Sequence, residues 1–279
     1  MATPILDVKN LGISFGGLQA VKDFNIRINE GELVGLIGPN GAGKTTVFNM
    51  LTGVYKPTEG SFSLCGQDMK GKKIHQVVNS GIARTFQNIR LFKSMTVLDN
   101  VKVAFGSKIK YKLPATLLRL PFYWKQEAET DKKAMELLKI FGLENKAHYI
   151  ANNLPYGQQR KLEIARALAT GMKLLLLDEP AAGMNPTETA ELLECINVIR
   201  QQFGIAILLI EHDMSLVMNI CERIVVIDYG ITIAQGLPAE IAANPKVIAA
   251  YLGDDDEELE STQDDINKHE ETSENKEGA

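Results

Sequence analysis

Eight consecutive residues, Gly38-Pro39-Asn40-Gly41-Ala42-Gly43-Lys44-Thr45, satisfy the pattern G-x-x-x-x-G-K-[ST] in full, and they narrow the possible folds more than any other stretch. The pattern needs a strand before it and a helix after it. Leu33 to Ile37 is an apolar run of core-strand length, and Thr46 to Leu51 reads as helix, so the context is present. The physics is direct: glycines let backbone N–H groups curl around phosphate oxygens, and the helix N-terminus adds positive potential. Lys44 then reaches the outer phosphates, while the Thr45 hydroxyl is offered to magnesium. With Thr46, these residues are the expected phosphate cradle.

The same strand-then-helix event recurs. Leu174 to Leu177 is a buried-strand run ending at Asp178-Glu179-Pro180, and Glu188 to Gln201 follows with helical periodicity. Ile205 to Ile210 ends at Glu211-His212, and Ile224 to Ile227 ends in the turn Asp228-Tyr229-Gly230. Strands alternating with helices predict an α/β chain with a mostly parallel sheet, whose ligands sit at the carboxyl ends of the strands. The opening stretch differs, because Ile5 to Val8, Gly12 to Phe15, Phe24 to Ile28 and Ser61 to Leu64 are short alternating runs between glycine-rich turns. They predict an antiparallel β layer. From about 97 to 169 the pattern is mainly helical, as in Asp131 to Phe141 and Gln158 to Leu168, with Pro114 and Pro121 as local breaks. A helical subdomain is expected there, within one domain spanning residues 1–253.

Charge separates the last residues from the rest. From Asp254 onward, 12 acids against two lysines give −10, so the residues before it carry +5 of the overall −5. Residues 254–279 are therefore expected to be a disordered acidic tail. No apolar run approaches the roughly 18 residues that span a bilayer, and Met1 to Asp7 lacks the basic start and apolar stretch of a secretory signal. A cytosolic protein is expected, with any membrane role borrowed from a partner. Cys65, Cys195 and Cys221 are widely spaced and form no CxxC pair, which argues against a disulfide framework or a zinc site. Lys108, Lys110, Lys112, Arg119 and Lys125 lie among Phe122, Tyr123 and Trp124. That segment reads first as a solvated helical face and second as a membrane-facing one.

Chemistry concentrates at the strand ends. Asp178 and Glu179 close the second core strand, where one carboxylate can reach a metal and the next a water in line with a terminal phosphate. Asp178 is assigned to Mg2+ and Glu179 to general base. Acidic residues at a strand end are by themselves more often caps, and the phosphate loop upstream reverses that expectation. His212 ends the third strand, where an imidazole can contact the terminal phosphate or the attacking water.

In order and spacing, Gly38 to Thr46, Phe86-Gln87-Asn88, Leu154-Pro155-Tyr156-Gly157-Gln158-Gln159-Arg160, Leu174 to Glu179 and His212 resemble the nucleotide-binding subunit of an ATP-binding cassette (ABC) transporter, over Ile5 to Gly253. The resemblance implies a P-loop NTPase core in which ATP is the substrate. It implies that Phe15 stacks on adenine, that Gln87 links the metal to a membrane partner, and that Leu154, Pro155, Tyr156, Gly157 and Gln158 form the signature completing a partner subunit's site. Two residues depart from the pattern: Pro155 replaces the usual serine, and Asn185 the usual aspartate.

A narrower resemblance, carried by Phe15-Gly16-Gly17, Glu179 to Pro186, Ile210 to Met214 and Ala249 to Gly253, is to one of the paired ATPases of branched-chain amino acid importers. Related ATPases for urea uptake and lipopolysaccharide export share several of these stretches. The partners so implied are a second, related ATPase, two transmembrane permease subunits and, indirectly, an extracytoplasmic solute-binding protein, with this chain peripheral on the cytoplasmic face of the membrane. A soluble, non-transport cassette ATPase acting on nucleic acid is the reading from a different class. It usually brings a second cassette, a long coiled coil or a basic arm, and none is visible here.

Overall fold

The computed structural model describes residues 3–106 and 121–251. The acidic tail and most of the Lys108 to Lys125 segment lie outside the described residues. Among the described residues ten strands form two sheets. The smaller sheet contains β1 (Leu6–Phe15), β2 (Leu18–Ile28), β4 (Glu59–Leu64) and β5 (Gln67–Asp68), in the order β2-β1-β4-β5. The larger contains β3 (Leu33–Ile37), β6 (Ile82–Arg84), β7 (Leu174–Asp178), β8 (Ala206–Ile210), β9 (Arg223–Asp228) and β10 (Ile231–Gly236), in the order β10-β9-β3-β8-β7-β6. Its pairs are parallel except β9–β10. That hairpin closes through Tyr229 and Gly230, both at positive φ (43° and 76°), the two-residue turn that suits strand twist.

The central strands are buried throughout because the large sheet is a wall between two apolar cores. Leu33, Ile37, Leu175, Leu177, Ile207 and Leu209 face one core, while Val34, Leu36, Leu174, Leu176, Ala206 and Leu208 face the other. A period-2 strand thus divides a continuous apolar run between two sides, and each fully buried Leu or Ile contributes about 1.5–3 kcal/mol. The second core is closed by the small sheet and by α1 (Lys44–Leu51).

Expected strands Leu33 to Ile37, Leu174 to Leu177 and Ile205 to Ile210 form within a residue of their predicted ends. Of the opening runs, Phe24 to Ile28 and Ser61 to Leu64 form within β2 and β4, but the first two are not separate strands. Leu6 to Val8 of the first run and Gly12 to Phe15 of the second belong to one ten-residue strand, β1, with Ile5 just before it. Its apolar residues change phase between Leu6, Val8 and Leu11, Ile13, and the structure absorbs the change at Asn10 (φ 51°) with a bulge rather than a turn. Asp23 (φ 48°) does the same in β2, between Val21 and Phe24. Both bulges keep the apolar side chains on the buried face.

Between β6 and β7 the regular elements among the described residues are helices, α3 (Val97–Phe105), α4 (Pro121–Ile140) and α5 (Tyr156–Ala169), with two short 3-10 turns at Glu144–Lys146 and Ala151–Asn153. α2 (Ile74–Asn79) precedes β6, and α6 (Pro186–Phe203), α7 (Met214–Ile220) and α8 (Pro238–Ala242) follow β7. Pro121, read as a break, opens α4, a place where its missing N–H is harmless. No helix among the described residues is long and apolar enough to cross a membrane.

Candidate functional site

The loop between β3 and α1 takes its shape from glycine. Gly38, Gly41 and Gly43 have φ of 152°, 77° and 102°, and a Cβ at Gly38 would lie 1.9 Å from the Ile227 carbonyl oxygen. Only glycine lets the loop turn so closely over β9. No side chain caps α1, so its first N–H groups remain for a ligand. Lys44 is buried and donates from Nζ to the carbonyls of Gly38 (2.5 Å) and Pro39 (2.7 Å), which holds the ammonium inside the curl.

A cleft of about 210 Å³ opens over this loop, lined by Asn40 to Thr46 together with Glu179, Ile210 and His212. Glu179 follows β7 in the left-handed region (φ 46°), unusual for a residue with a Cβ, and its N–H donates to the Ile210 carbonyl (2.9 Å). This backbone turn brings the carboxylate between two partners. His212 Nε2 donates to Oε1 (2.5 Å), and Gln87 Nε2 donates to Oε2 (3.0 Å). Side chains from two other loops therefore meet on the Glu179 carboxylate, which lines the same cleft as Asn40 to Thr46. Beside them Glu211 is buried and accepts from the N–H of Ala181 (2.9 Å) and of His212 (3.3 Å). Burial raises its pKa, against the pull of those two hydrogen bonds.

Asp178, the expected metal carboxylate, is buried, and its Oδ2 accepts from Arg84 NH2 at 2.6 Å. Arg84 ends β6, donates its other arm to Asn49 Oδ1 on α1 (2.7 Å), and lies over the rings of Phe48 and Phe86 at 5.4 and 5.1 Å. Of the three expected metal residues, Thr45 lines the cleft and Gln87 and Asp178 do not; their hydroxyl, carboxamide and carboxylate are oxygen donors of the type a hard cation takes. Among the described residues no cluster of three or more His, Cys, Asp or Glu forms an all-protein cage.

The comparisons with known proteins fit this geometry. The model of the ABC transporter family matches residues 21–182, and that of the branched-chain amino acid ATP-binding cassette transporter matches residues 232–257. The chain belongs to the ABC transporter family. Within it, the chain is 48% identical over 254 residues to the Escherichia coli (strain K12) high-affinity branched-chain amino acid transport ATP-binding protein LivG, covering 91% of this chain and 100% of LivG. It is 47% identical to the corresponding BraF of Pseudomonas aeruginosa, with the same coverage. A solved ATP-binding cassette of an ABC transporter, in its ADP conformation, superposes with a TM-score of 0.77 at 31% identity, over 90% of this chain and 100% of that one.

The cassette does not bring every expected residue to the cleft. Phe15 is 45% exposed and meets Tyr55 edge-on at 5.2 Å, apart from the residues lining the cleft. Leu154 to Gln158 are also absent from that lining. Leu154 is buried, Pro155 stands at the N-cap of α5, and the following N–H groups have no side-chain cap. Gly157 packs so tightly on α6 that a Cβ would lie 2.9 Å from Glu188 Oε1. Gln158 Oε1 accepts from Lys146 Nζ (2.8 Å). Asn185 caps α6: its Oδ1 accepts from the Glu188 N–H (3.0 Å), and Glu188 Oε2 accepts from the Asn185 N–H (3.2 Å). Asparagine performs this capping as well as aspartate does.

Two arginines in the assembly have no role in the sequence reading. Arg84 was available as a lone charge in the otherwise apolar Ile82-Ala83-Arg84, and Arg160 as one half of an i,i+3 pair with Glu163 on α5.

Proposed function

We propose that this chain is the ATP-hydrolysing subunit that powers an importer of branched-chain amino acids. The observation that carries the mechanism is the Glu179 carboxylate, gripped by His212 and Gln87 within the cleft that the phosphate loop lines. Gly38 to Thr46 hold the phosphates through backbone N–H groups, and Lys44 supplies positive charge from inside the loop. Thr45, Gln87 and Asp178 would hold Mg2+, which when bound neutralises charge on the outer phosphoryl oxygens. Glu179 orients a water and takes its proton, and His212 fixes Oε1 of Glu179 while presenting its exposed ring to the terminal phosphate. Phe15 supports the adenine. Little covalent chemistry is asked of the protein, since positioning and electrostatics carry phosphoryl transfer.

Leu154, Pro155, Tyr156, Gly157 and Gln158 complete the site of a second, related ATPase, whose own signature closes this one. Pro155 has no N–H to donate, so the α5 backbone from Tyr156 on makes the phosphate contact. The cassette occupies residues 1–253, with 254–279 a tail beyond it. It works on the cytoplasmic face of the membrane with two permease subunits and, indirectly, a solute-binding protein. The identities to LivG and BraF support the choice of amino acids over urea or lipopolysaccharide.

Glu179→Gln tests the mechanism in the assembled transporter. Loss of a general base lowers kcat by about 100-fold or more while ATP still binds, so ATP traps a stable two-ATPase sandwich on size exclusion. Normal turnover by this variant would remove Glu179 from the base role, and a wild-type transporter without Mg2+-dependent ATPase activity would defeat the function itself.

A further inference from the structure

Arg160 is fully buried on α5, two residues beyond the signature segment. Its nearest charge is Glu163, whose Oε2 accepts from NH1 at 2.8 Å and which is itself almost completely buried. A pair one turn apart on a helix has no need to be desolvated, and apolar residues of similar size pack such a position at lower cost. What distinguishes this guanidinium is where its other donors go. NH1 also donates to the Phe86 carbonyl (2.7 Å), and NH2 donates to the Gln87 carbonyl (2.8 Å). Glu163 completes the bracket, its Oε1 accepting from the Arg90 N–H at 3.0 Å.

These carbonyls need donors because the sheet has run out. The β6–β7 ladder ends at Arg84 opposite Leu176, and the Thr85 N–H makes one more bond to the Leu176 carbonyl (3.0 Å). From Phe86 onward the backbone leaves the strand, and its direction decides whether the Gln87 side chain reaches Glu179. We propose that Arg160, seated by Glu163, is the positioning residue for Gln87: one fork from α5 fixes two successive carbonyls and thereby sets the Gln87 carboxamide on Glu179 Oε2. The role rests on Glu179 being the base. It also ties the helix that carries the signature for one nucleotide to the glutamine that serves the other.

A double-mutant cycle on the full chain within its assembled transporter tests this. Arg160→Lys keeps the charge beside Glu163 but has no fork to span two carbonyls. Its expected effect is a fall in kcat of about 10- to 100-fold, with KM for ATP within about threefold, because the phosphate loop is untouched. Gln87→Ala gives a loss of similar kind, and the double variant falls no further than the worse single, because the two act through one contact. A double variant whose loss equals the product of the singles overturns the proposal, as does an Arg160→Lys protein with wild-type kcat. If Arg160→Lys does not fold, Glu163→Gln, which loosens the seat and leaves the fork, replaces it in the same cycle with the same criteria. A wild-type transporter that turns over while these variants match it defeats this proposal alone, whereas a silent wild type defeats the function on which it rests.

Discussion

Replacing Arg84 by methionine isolates the buried ion pair behind the nucleotide cleft. Methionine keeps most of the length and lies against the same Phe48 and Phe86 rings, so the cavity left is small. What is lost is the guanidinium 2.6 Å from Asp178 Oδ2 and 2.7 Å from Asn49 Oδ1. With side-chain exposures of only 7% and 10% across the pair, solvent cannot take over either charge. Breaking a pair of this kind on one side costs about 3–5 kcal/mol, mostly the desolvated carboxylate left behind. At about 2–4 °C per kcal/mol for a domain of this size, the midpoint should fall by about 10 °C. The assay is reversible urea unfolding of wild type, Arg84→Met, Asp178→Asn and the double variant, with m-values compared to confirm the same unfolding reaction. Because Asp178→Asn removes the stranded charge, adding Arg84→Met to it should cost at least about 2 kcal/mol less than adding it to wild type. Equal costs in the two backgrounds would refute the assignment of that energy to the pair.

Two further outcomes follow from titratable groups. Burial raises the Glu211 carboxyl, so the folded protein holds that proton more tightly than the unfolded chain; the associated stability is present at low pH and is lost as pH rises through the raised pKa. Glu211→Gln, still able to accept from the Ala181 N–H, should raise Tm at pH 8 and give no gain near pH 4, and a gain equal at both would exclude ionisation as the cause. Among the thiols, Cys65 is exposed, burial raises Cys195, and burial pushes Cys221 up to about 12. A thiol-specific reagent at pH 8 should therefore label Cys65 first and Cys221 only on unfolding, an order that mass spectrometry of timed digests checks directly.

What the sequence determined by itself is local in origin. The loop after β3 was legible because three glycines at fixed spacing, a lysine and a threonine are a backbone requirement written in residue types, and all three glycines take positive φ. The central strands were legible because a wall buried on both sides demands uninterrupted apolar runs, and Asp178, Glu179 and His212 were conspicuous as the polar residues that end them. Pairing across distance was not written in this way. A phase change at Asn10 looks like a turn until the partner strand is there to accept a bulge. β6 has only three residues and carries an arginine, so it becomes a strand only because β7 lies beside it and Asp178 waits at its end. Arg84 meets a carboxylate 94 positions away, and Arg160 meets carbonyls 73 and 74 positions away. Neither contact has a periodicity to read, because each exists only where packed helices and sheet strip water from a charge and leave one partner within reach.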